Sequence, residues 1–480
     1  MIASVTKTSS PARRRRTRHP GRLVTIIGVI GALPLAALWF VGHGLATRTE
    51  GRSARPAAYV STPVLNVRRA AGTLVADVTT RNLRAKLSDL VSRMPKSSCL
   101  RVDAGGVTAA TRSADSSLIP ASNMKILTAA VVLDAMPADM HFTTRVLGTV
   151  DGGVVTGDLR FVGGGDPLIL TKDYVASEKF PTLTPTYLDT LADSIKAKGV
   201  TEIRGSVVGD ESYLDDTRYN PDWSTGVRAT EGGPLGALMV NDGVVVGDPL
   251  KPANPAVAAA RELTRLLTAR GITVAGEARA ATKPAQTSDI EIASITSAPL
   301  SKVVAEMLTN SDNNTAEILV RHLGLAKTLQ PTTSAGLKVI ASKLKEWGVG
   351  DVTLRDGSGL SRGNRITCDA VVAVLDRQPV NGDLVRGLSV ASTSGTLSEA
   401  FTNTPVAGKL RGKTGTLLNV KTLAGVLPVG SNDQVTFALF LNGAGWADQG
   451  NYRPLWDSLA EAISTYPDGP TKSQVQVVGG

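Results

Sequence analysis

Five residues have side chains and spacing that could do chemistry together: Ser122, Lys125, Ser311, Asn313 and Lys413. In Pro120-Ala-Ser-Asn-Met-Lys125 a serine stands three residues before a lysine, at the head of the apolar run Ile126 to Leu133, with no breaker until Pro137. On a helix those two side chains share one face, a turn apart. A hydroxyl attacks only when a base takes its proton, and a lysine is that base only when desolvation or a nearby cation lowers its pKa. Spacing alone is weak evidence, because Ser4/Lys7 and Ser342/Lys345 repeat it. The first of these lies in a basic leader, and the second reads as the solvated face of an amphipathic helix. Downstream, Ser311-Asp312-Asn313 and Lys413-Thr414-Gly415-Thr416 each occur once. Taken singly, the triplet reads as a helix cap and the second motif as a strand with a glycine bulge. Taken together and in order, the three motifs predict a serine acyl-transfer site.

In such a site Ser122 supplies the nucleophile and Lys125 accepts its proton. Ser311 and Lys413 pass a proton to the leaving amine, and Asn313 orients Lys125 and the substrate amide. The charge of Lys413 favours a neutral Lys125 and attracts an anionic substrate end. Thr414 and Thr416 offer hydroxyls to a terminal carboxylate, and Gly415 lets a peptide approach the strand edge. The backbone N–H groups of Ser122 and Thr416 are the expected oxyanion hole.

The elements that must position these groups are mixed. Leu83, Leu87, Leu90 and Val91 recur at helical spacing, and Cys99 to Ala110 reads as a short hairpin before the Ser122 helix. From Thr144 the texture turns to Gly, Val, Thr and Asp in short alternating runs, such as Val154 to Phe161 and Ile203 to Val208, which read as β-hairpins. Helical segments near Tyr187 to Lys198 and Ala256 to Arg270 interrupt them. Helices return at Pro299 to Leu325 and Thr333 to Trp347, strands after Lys409, and a last helix at Tyr452 to Tyr466. No repeat of fixed period is evident. The predicted order is a basic leader (1–22), a membrane anchor or signal peptide (23–43), a tether (44–62), the first part of a catalytic domain (63–143), an inserted β-rich region of one or two small domains (144–292), the second part (293–467) and a tail (468–480).

The chain has 480 residues and a formal net charge of +10. Seven of its 52 Lys and Arg residues fall within residues 1–22 without an acid, leaving 45 against 42 acidic residues elsewhere. The basic excess is therefore a leader and gives no reason to expect a nucleic-acid partner. Leu23 to Val41 is an uncharged apolar run long enough to span a bilayer, and the arginines before it predict an amino terminus inside and an extracytoplasmic location for the chain beyond Val41. Gly44-Leu-Ala46 is an alternative, a cleavage site of a signal peptide. Cys99 and Cys368 are either a disulfide of an oxidising compartment or two buried thiols. His, Cys and carboxylate residues show no metal-ligand spacing, so neither a metal nor a cofactor is expected.

On these motifs the chain resembles the penicillin-binding protein 4 type of D-alanyl-D-alanine carboxypeptidase and endopeptidase, peptidase family S13. The first motif has the family's form, and 189 residues, room for inserted domains, separate Ser122 from Ser311. Leu159 to Pro167, with Gly-Asp-Pro at its end, and Asp356-Gly-Ser-Gly-Leu-Ser-Arg362 resemble two further family segments. The resemblance covers roughly Pro63 to Pro467. It implies an α/β (α+β) fold, a transpeptidase-like domain with helices on an antiparallel sheet, interrupted by the insert and preceded by a single membrane helix. It also implies peptidoglycan stem peptides ending in D-Ala-D-Ala as substrates, β-lactams as covalent inhibitors of Ser122, and Arg362 as a contact to the donor peptide or a structural salt bridge. The hairpin from Cys99 looks abbreviated for the family, and a membrane anchor is unusual in it. Two other readings stay open, a β-lactamase and a non-catalytic cell-wall or β-lactam sensor.

Overall fold

The computed structural model describes residues 67–174, 180–286 and 289–468. The leader, the run Leu23–Val41, the tether and nearly all of the tail lie outside them. Among the described residues no helix is long and apolar enough to cross a membrane.

The part of the chain that carries all three motifs is built on a six-stranded antiparallel sheet whose order in space is 389–390, 411–417, 420–429, 433–442, 98–104, 107–112. The sheet is sewn from distant parts of the chain. The hairpin Ser98–Ala104 and Val107–Arg112 pairs with Asp433–Asn442, placing Cys99 opposite Phe440. Both faces of the central strands are covered, so Val435 to Leu441 is buried throughout and reads as a continuous apolar run instead of an alternating one. On one face lie helices Met124–Ala135, Leu300–Thr309, Asn313–Thr328 and Cys368–Asp376. On the other, Leu83, Leu87 and Leu90 of helix Val67–Arg93 pack with Leu455, Trp456 and Leu459 of helix Gln449–Ser464.

Helix Met124–Ala135 is the centre of the first layer. Every residue from Met124 to Val132 is buried, including Lys125 and Thr128. A helix apolar on all sides belongs inside a core, and that placement takes its one lysine out of water.

Cys99, on the sheet, and Cys368, at the start of helix Cys368–Asp376, are joined by a disulfide across a sequence separation of 269 residues. The loop it closes contains helix Met124–Ala135 and the whole inserted region.

The inserted region begins and ends side by side, since Thr143–Leu147 pairs antiparallel with Glu291–Thr296. Between them the expected hairpins give way to another arrangement. Among the described residues only Val150–Asp151 and Val154–Val155 form one. Val154–Val155 also begins a stack of three bent rungs that pair with one another in parallel, namely Val154–Val155 and Leu159–Val162, Glu202–Ile203 and Val207–Asp210, and Thr273–Val274 and Arg279–Ala280, while Ile169–Leu170 pairs in parallel with Thr186–Tyr187 apart from them. At the bends Gly205 N–H donates to the Gly157 carbonyl and Gly276 N–H to the Gly205 carbonyl, both at 2.9 Å. A Cβ on Gly205 would sit 2.7 Å from the Gly157 carbonyl carbon, which leaves no room for a side chain. Parallel rungs need crossovers, and helices Leu188–Ala197 and Pro255–Ala269 supply them. Those crossovers differ in length, so the repetition has no fixed period and the sequence conceals it.

Because the disulfide restrains a long loop in the unfolded chain, Cys99→Ala with Cys368→Ala is expected to destabilise the protein by about 2–5 kcal/mol. Urea unfolding of the oxidised protein and the double variant would measure this, and equal midpoints would refute it.

Candidate active site

Ser122 does not lie within the helix proper. It occupies a 3-10 turn, Ala121–Asn123, that runs directly into Met124–Ala135. Ala121 has φ 48°, a left-handed conformation that non-glycine residues seldom adopt, and close packing holds it there. Asn123 Nδ2 donates to Thr422 Oγ1 at 2.6 Å, and Thr422 Oγ1 donates to the Pro120 carbonyl at 2.8 Å. Strained backbone at such a turn persists only where its surroundings over-determine it.

Two glycines make that packing feasible. A Cβ on Gly359 would collide with the Ala121 carbonyl. A Cβ on Gly415 would collide with Thr422 Oγ1 and stand 2.9 Å from the Pro120 carbonyl oxygen. Gly415 therefore faces the nucleophile turn, and its lack of a side chain serves that contact. The expected close approach of a substrate is not what requires it.

Lys125 is the hub. Its Nζ is 3.1 Å from Ser122 Oγ, 2.6 Å from Asn313 Oδ1 and 2.7 Å from the Ser358 carbonyl oxygen. Two of these partners, the amide oxygen and the carbonyl, can only accept. A neutral amine that donates its two hydrogens to them has its lone pair left for the Ser122 hydroxyl proton. Burial pulls the Lys125 pKa down to about 8, against the opposing pull of Asp356, Asp312, Glu317 and Glu231. Desolvation, one of the two causes expected, is what lowers it, and the charge of Lys413 is not a leading cause. The repulsion between the two lysines appears instead on Lys413, held well below the usual lysine range by burial first and then by Lys125 and Lys421. Lys413 is fully buried, and its Nζ donates to the Thr414 carbonyl at 3.0 Å. That disagrees with a free cation waiting for an anionic substrate end, and no hydrogen bond joins it to Ser311 among the described residues.

Ser311, with φ 68°, sits in the break between helices Leu300–Thr309 and Asn313–Thr328. Asp312 caps the second helix by accepting from Thr315 N–H, so the triplet is a helix cap as well as part of the site. Burial, then Asp242, raises the Asp312 pKa to about 6. Ser122, Ser311, Asn313, Thr414 and Thr416 line one cavity of about 420 Å³. Arg362 is outside this group. Its guanidinium is exposed and donates to the Leu418 carbonyl at 2.7 Å, and it has no ion pair among the described residues. It ties its loop to the turn after strand Arg411–Leu417, which is neither a salt bridge nor a wall of the cavity.

Several residues that shape the site lie outside the three motifs. Glu317 is fully buried, and its Oε1 accepts from Gly357 N–H at 3.0 Å and Ser358 N–H at 2.8 Å. It thereby fixes the peptide whose carbonyl holds Lys125. Asp356 accepts from Gly359 N–H and, through its other oxygen, from Trp223 Nε1. The insert reaches Lys125 at one remove, because Asn313 Nδ2 donates to the Glu231 carbonyl at 2.8 Å and so directs Oδ1 toward its amine. Pro167, from the Gly-Asp-Pro segment, and Leu168 just after it form another part of the cavity wall. A periodic signal for Glu317 is present, four residues after Asn313 and so on the same side of the helix, but a carboxylate there also reads as a solvated face.

A helix-covered antiparallel sheet with a Ser-x-x-Lys turn, a Ser-x-Asn helix break and a Lys-Thr-Gly strand around one cavity defines a serine enzyme of the transpeptidase/β-lactamase class. Within that class, the chain belongs to the D-Ala-D-Ala carboxypeptidase 3 (S13) family, whose model matches residues 100–248 and 249–463. It is 29% identical to a D-alanyl-D-alanine carboxypeptidase of Actinomadura sp., over 69% of this chain and 75% of that one. It is 30% identical to a carboxypeptidase of Mycobacterium tuberculosis, over 73% of this chain and 76% of that one. Its fold matches penicillin binding protein 4 of Haemophilus influenzae with a TM-score of 0.64 at 21% identity, covering 78% of this chain and 97% of that one.

The geometry around Lys125 sets two expected outcomes. Protonation removes its lone pair, so the rate of Ser122 acylation by a penicillin should rise about tenfold per pH unit below 8 and level off above it. A flat stopped-flow profile would exclude Lys125 as the base. Glu317→Gln keeps an oxygen for the two N–H groups and should retain most acylation. Glu317→Leu orphans both buried donors and should lose stability by about 1–3 kcal/mol as well as acylation rate. Equal behaviour of the two variants would refute the positioning role.

Proposed function

We propose that this chain is a serine-type D-alanyl-D-alanine carboxypeptidase that acts on peptidoglycan stem peptides, cleaves cross-links between stems as an endopeptidase at the same site, and is acylated by β-lactams. The observation that carries this reading is the three-partner geometry of the buried Lys125, which aims its lone pair at Ser122.

In this reading Ser122 Oγ attacks the carbonyl carbon of the penultimate D-alanine while Lys125 Nζ takes the hydroxyl proton. The backbone N–H groups of Ser122 and Thr416 receive the negative charge that develops on the carbonyl oxygen. The C–N bond then breaks, and the departing amine collects a proton from Lys125 by way of Ser311. Terminal D-alanine leaves, and the peptide remains as an ester on Ser122. Water, deprotonated by Lys125, hydrolyses that ester and restores the hydroxyl. Thr414 and Thr416 hold the terminal carboxylate. A β-lactam follows the first half, its strained amide opening onto Ser122 without a leaving group to diffuse away.

The relatives named carboxypeptidases support the substrate class. The Cys99–Cys368 bond supports an extracytoplasmic location, and the arginine-flanked run Leu23–Val41 fits a membrane anchor that would hold the enzyme there.

A fragment starting near Pro63 should be labelled covalently by a fluorescent penicillin and should release D-alanine from a stem pentapeptide. Ser122→Ala should lose both. Labelling with no release from the pentapeptide but cleavage of a dimeric muropeptide would assign it to cross-links alone, and failure of the folded wild type to label would refute the acyl-enzyme.

A further inference from the structure

The cavity poses an electrostatic problem. Glu231, Asp242, Glu306 and Asp312 line it, with Lys251 the one cation among its described lining residues. A peptide ending in a free carboxylate must nevertheless bind there. Lys413, the cation expected to receive that carboxylate, is fully buried and spends a hydrogen on the Thr414 carbonyl.

Another cation stands directly behind the cavity wall. Thr416 lies opposite Lys421 in the register of strands Arg411–Leu417 and Val420–Val429. Lys421 Nζ donates to Thr416 Oγ1 at 2.8 Å. Nζ also rests 4.4 Å from the centre of the Tyr452 ring and 5.1 Å from that of Trp456, so two aromatic faces hold the ammonium against the strand. An ammonium has no acceptor, so the threonine oxygen must be the acceptor of this bond. The hydroxyl hydrogen of Thr416 is thereby left for a different acceptor, and among the described residues none takes it. Thr416 is exposed, and Thr414, two residues away on the strand, shares its face.

We propose that Lys421 is a specificity-determining residue: it orients the Thr416 hydroxyl to donate into the cavity and supplies the positive charge that selects peptides with a free C-terminal carboxylate. The inference rests on the carboxypeptidase reading above and adds to it the residue that recognises the terminal group. Burial and Arg453 pull the Lys421 pKa down to about 8, so the group remains mainly charged at neutral pH. Hydrogen bonds from a hydroxyl polarised by a cation to a carboxylate are stronger than neutral ones, whereas a C-terminal amide gains far less from that charge.

The test compares kcat/KM for two peptides that differ only at the end, one with D-Ala-D-Ala carboxylate and one with D-Ala-D-Ala amide, in wild type, Lys421→Met and Lys421→Arg. Fluorescent-penicillin titration of Ser122 in each variant normalises for folded protein. The expected result is a carboxylate-to-amide ratio lower by on the order of tenfold in Lys421→Met and largely restored in Lys421→Arg. An unchanged ratio in Lys421→Met, or an equal loss with both peptides, would overturn the inference while leaving the acyl-enzyme reading standing. A wild type that neither labels nor releases D-alanine would overturn that reading and this inference with it.

Discussion

An amine taken out of water at Lys125 is the constraint around which the catalytic half is arranged. The helix that carries it is apolar on every side, and an unpaired ammonium in such a core would cost several kcal/mol. The fold answers with two oxygen acceptors, Asn313 Oδ1 and the Ser358 carbonyl, and with a pKa lowered far enough for the neutral form to be accessible. Each acceptor is itself held. The Glu231 carbonyl fixes the Asn313 amide, and Glu317 fixes the Ser358 peptide. The burial that lowers the Lys125 pKa is thus the same burial that makes its partners obligatory.

The same constraint makes the inserted region a working part of the enzyme and more than an appendage. Its strands enter and leave the catalytic half side by side, which lets a large excursion be accommodated without breaking the sheet. From that position it returns a segment near residues 219–243 to the site. Trp223 bonds Asp356, Asn314 Oδ1 accepts from Gly233 N–H, and Leu235, Ala237 and Met239 pack against Ile318 and Leu360. The Asp356 loop is therefore clamped between the insert and the nucleophile turn, and Gly359 is the point where the loop backbone meets that turn.

Much of this was legible in the sequence, for identifiable reasons. The three motifs could be read because their residue types are rare together. The helices could be read because 3.6-residue periodicity survives in one-sided burial, as in Leu83, Leu87 and Leu90. The strands of the insert were readable as strands but not in their pairing. A two-residue strand with a glycine at its end looks the same whether it turns into a hairpin or stacks in parallel on a rung far away in the chain. The pairing of Cys99 with Cys368 was undecidable for a similar reason, since partners 269 residues apart leave no local trace.

By itself the sequence determined the reaction centre's chemistry, the residues able to carry it and the apolar character of the helix that bears Ser122 and Lys125, because these depend on side-chain type and local spacing. Tertiary structure alone decided what each of those residues faces. Gly415 serves the packing of the nucleophile turn, Lys413 is turned inward onto a carbonyl, Arg362 ties a loop, and Lys421 stands behind Thr416. Orientation of this kind is set by contacts between strands and loops that are distant in sequence, and desolvation, which tunes Lys125, Lys413 and Lys421, exists only once the chain has closed around them.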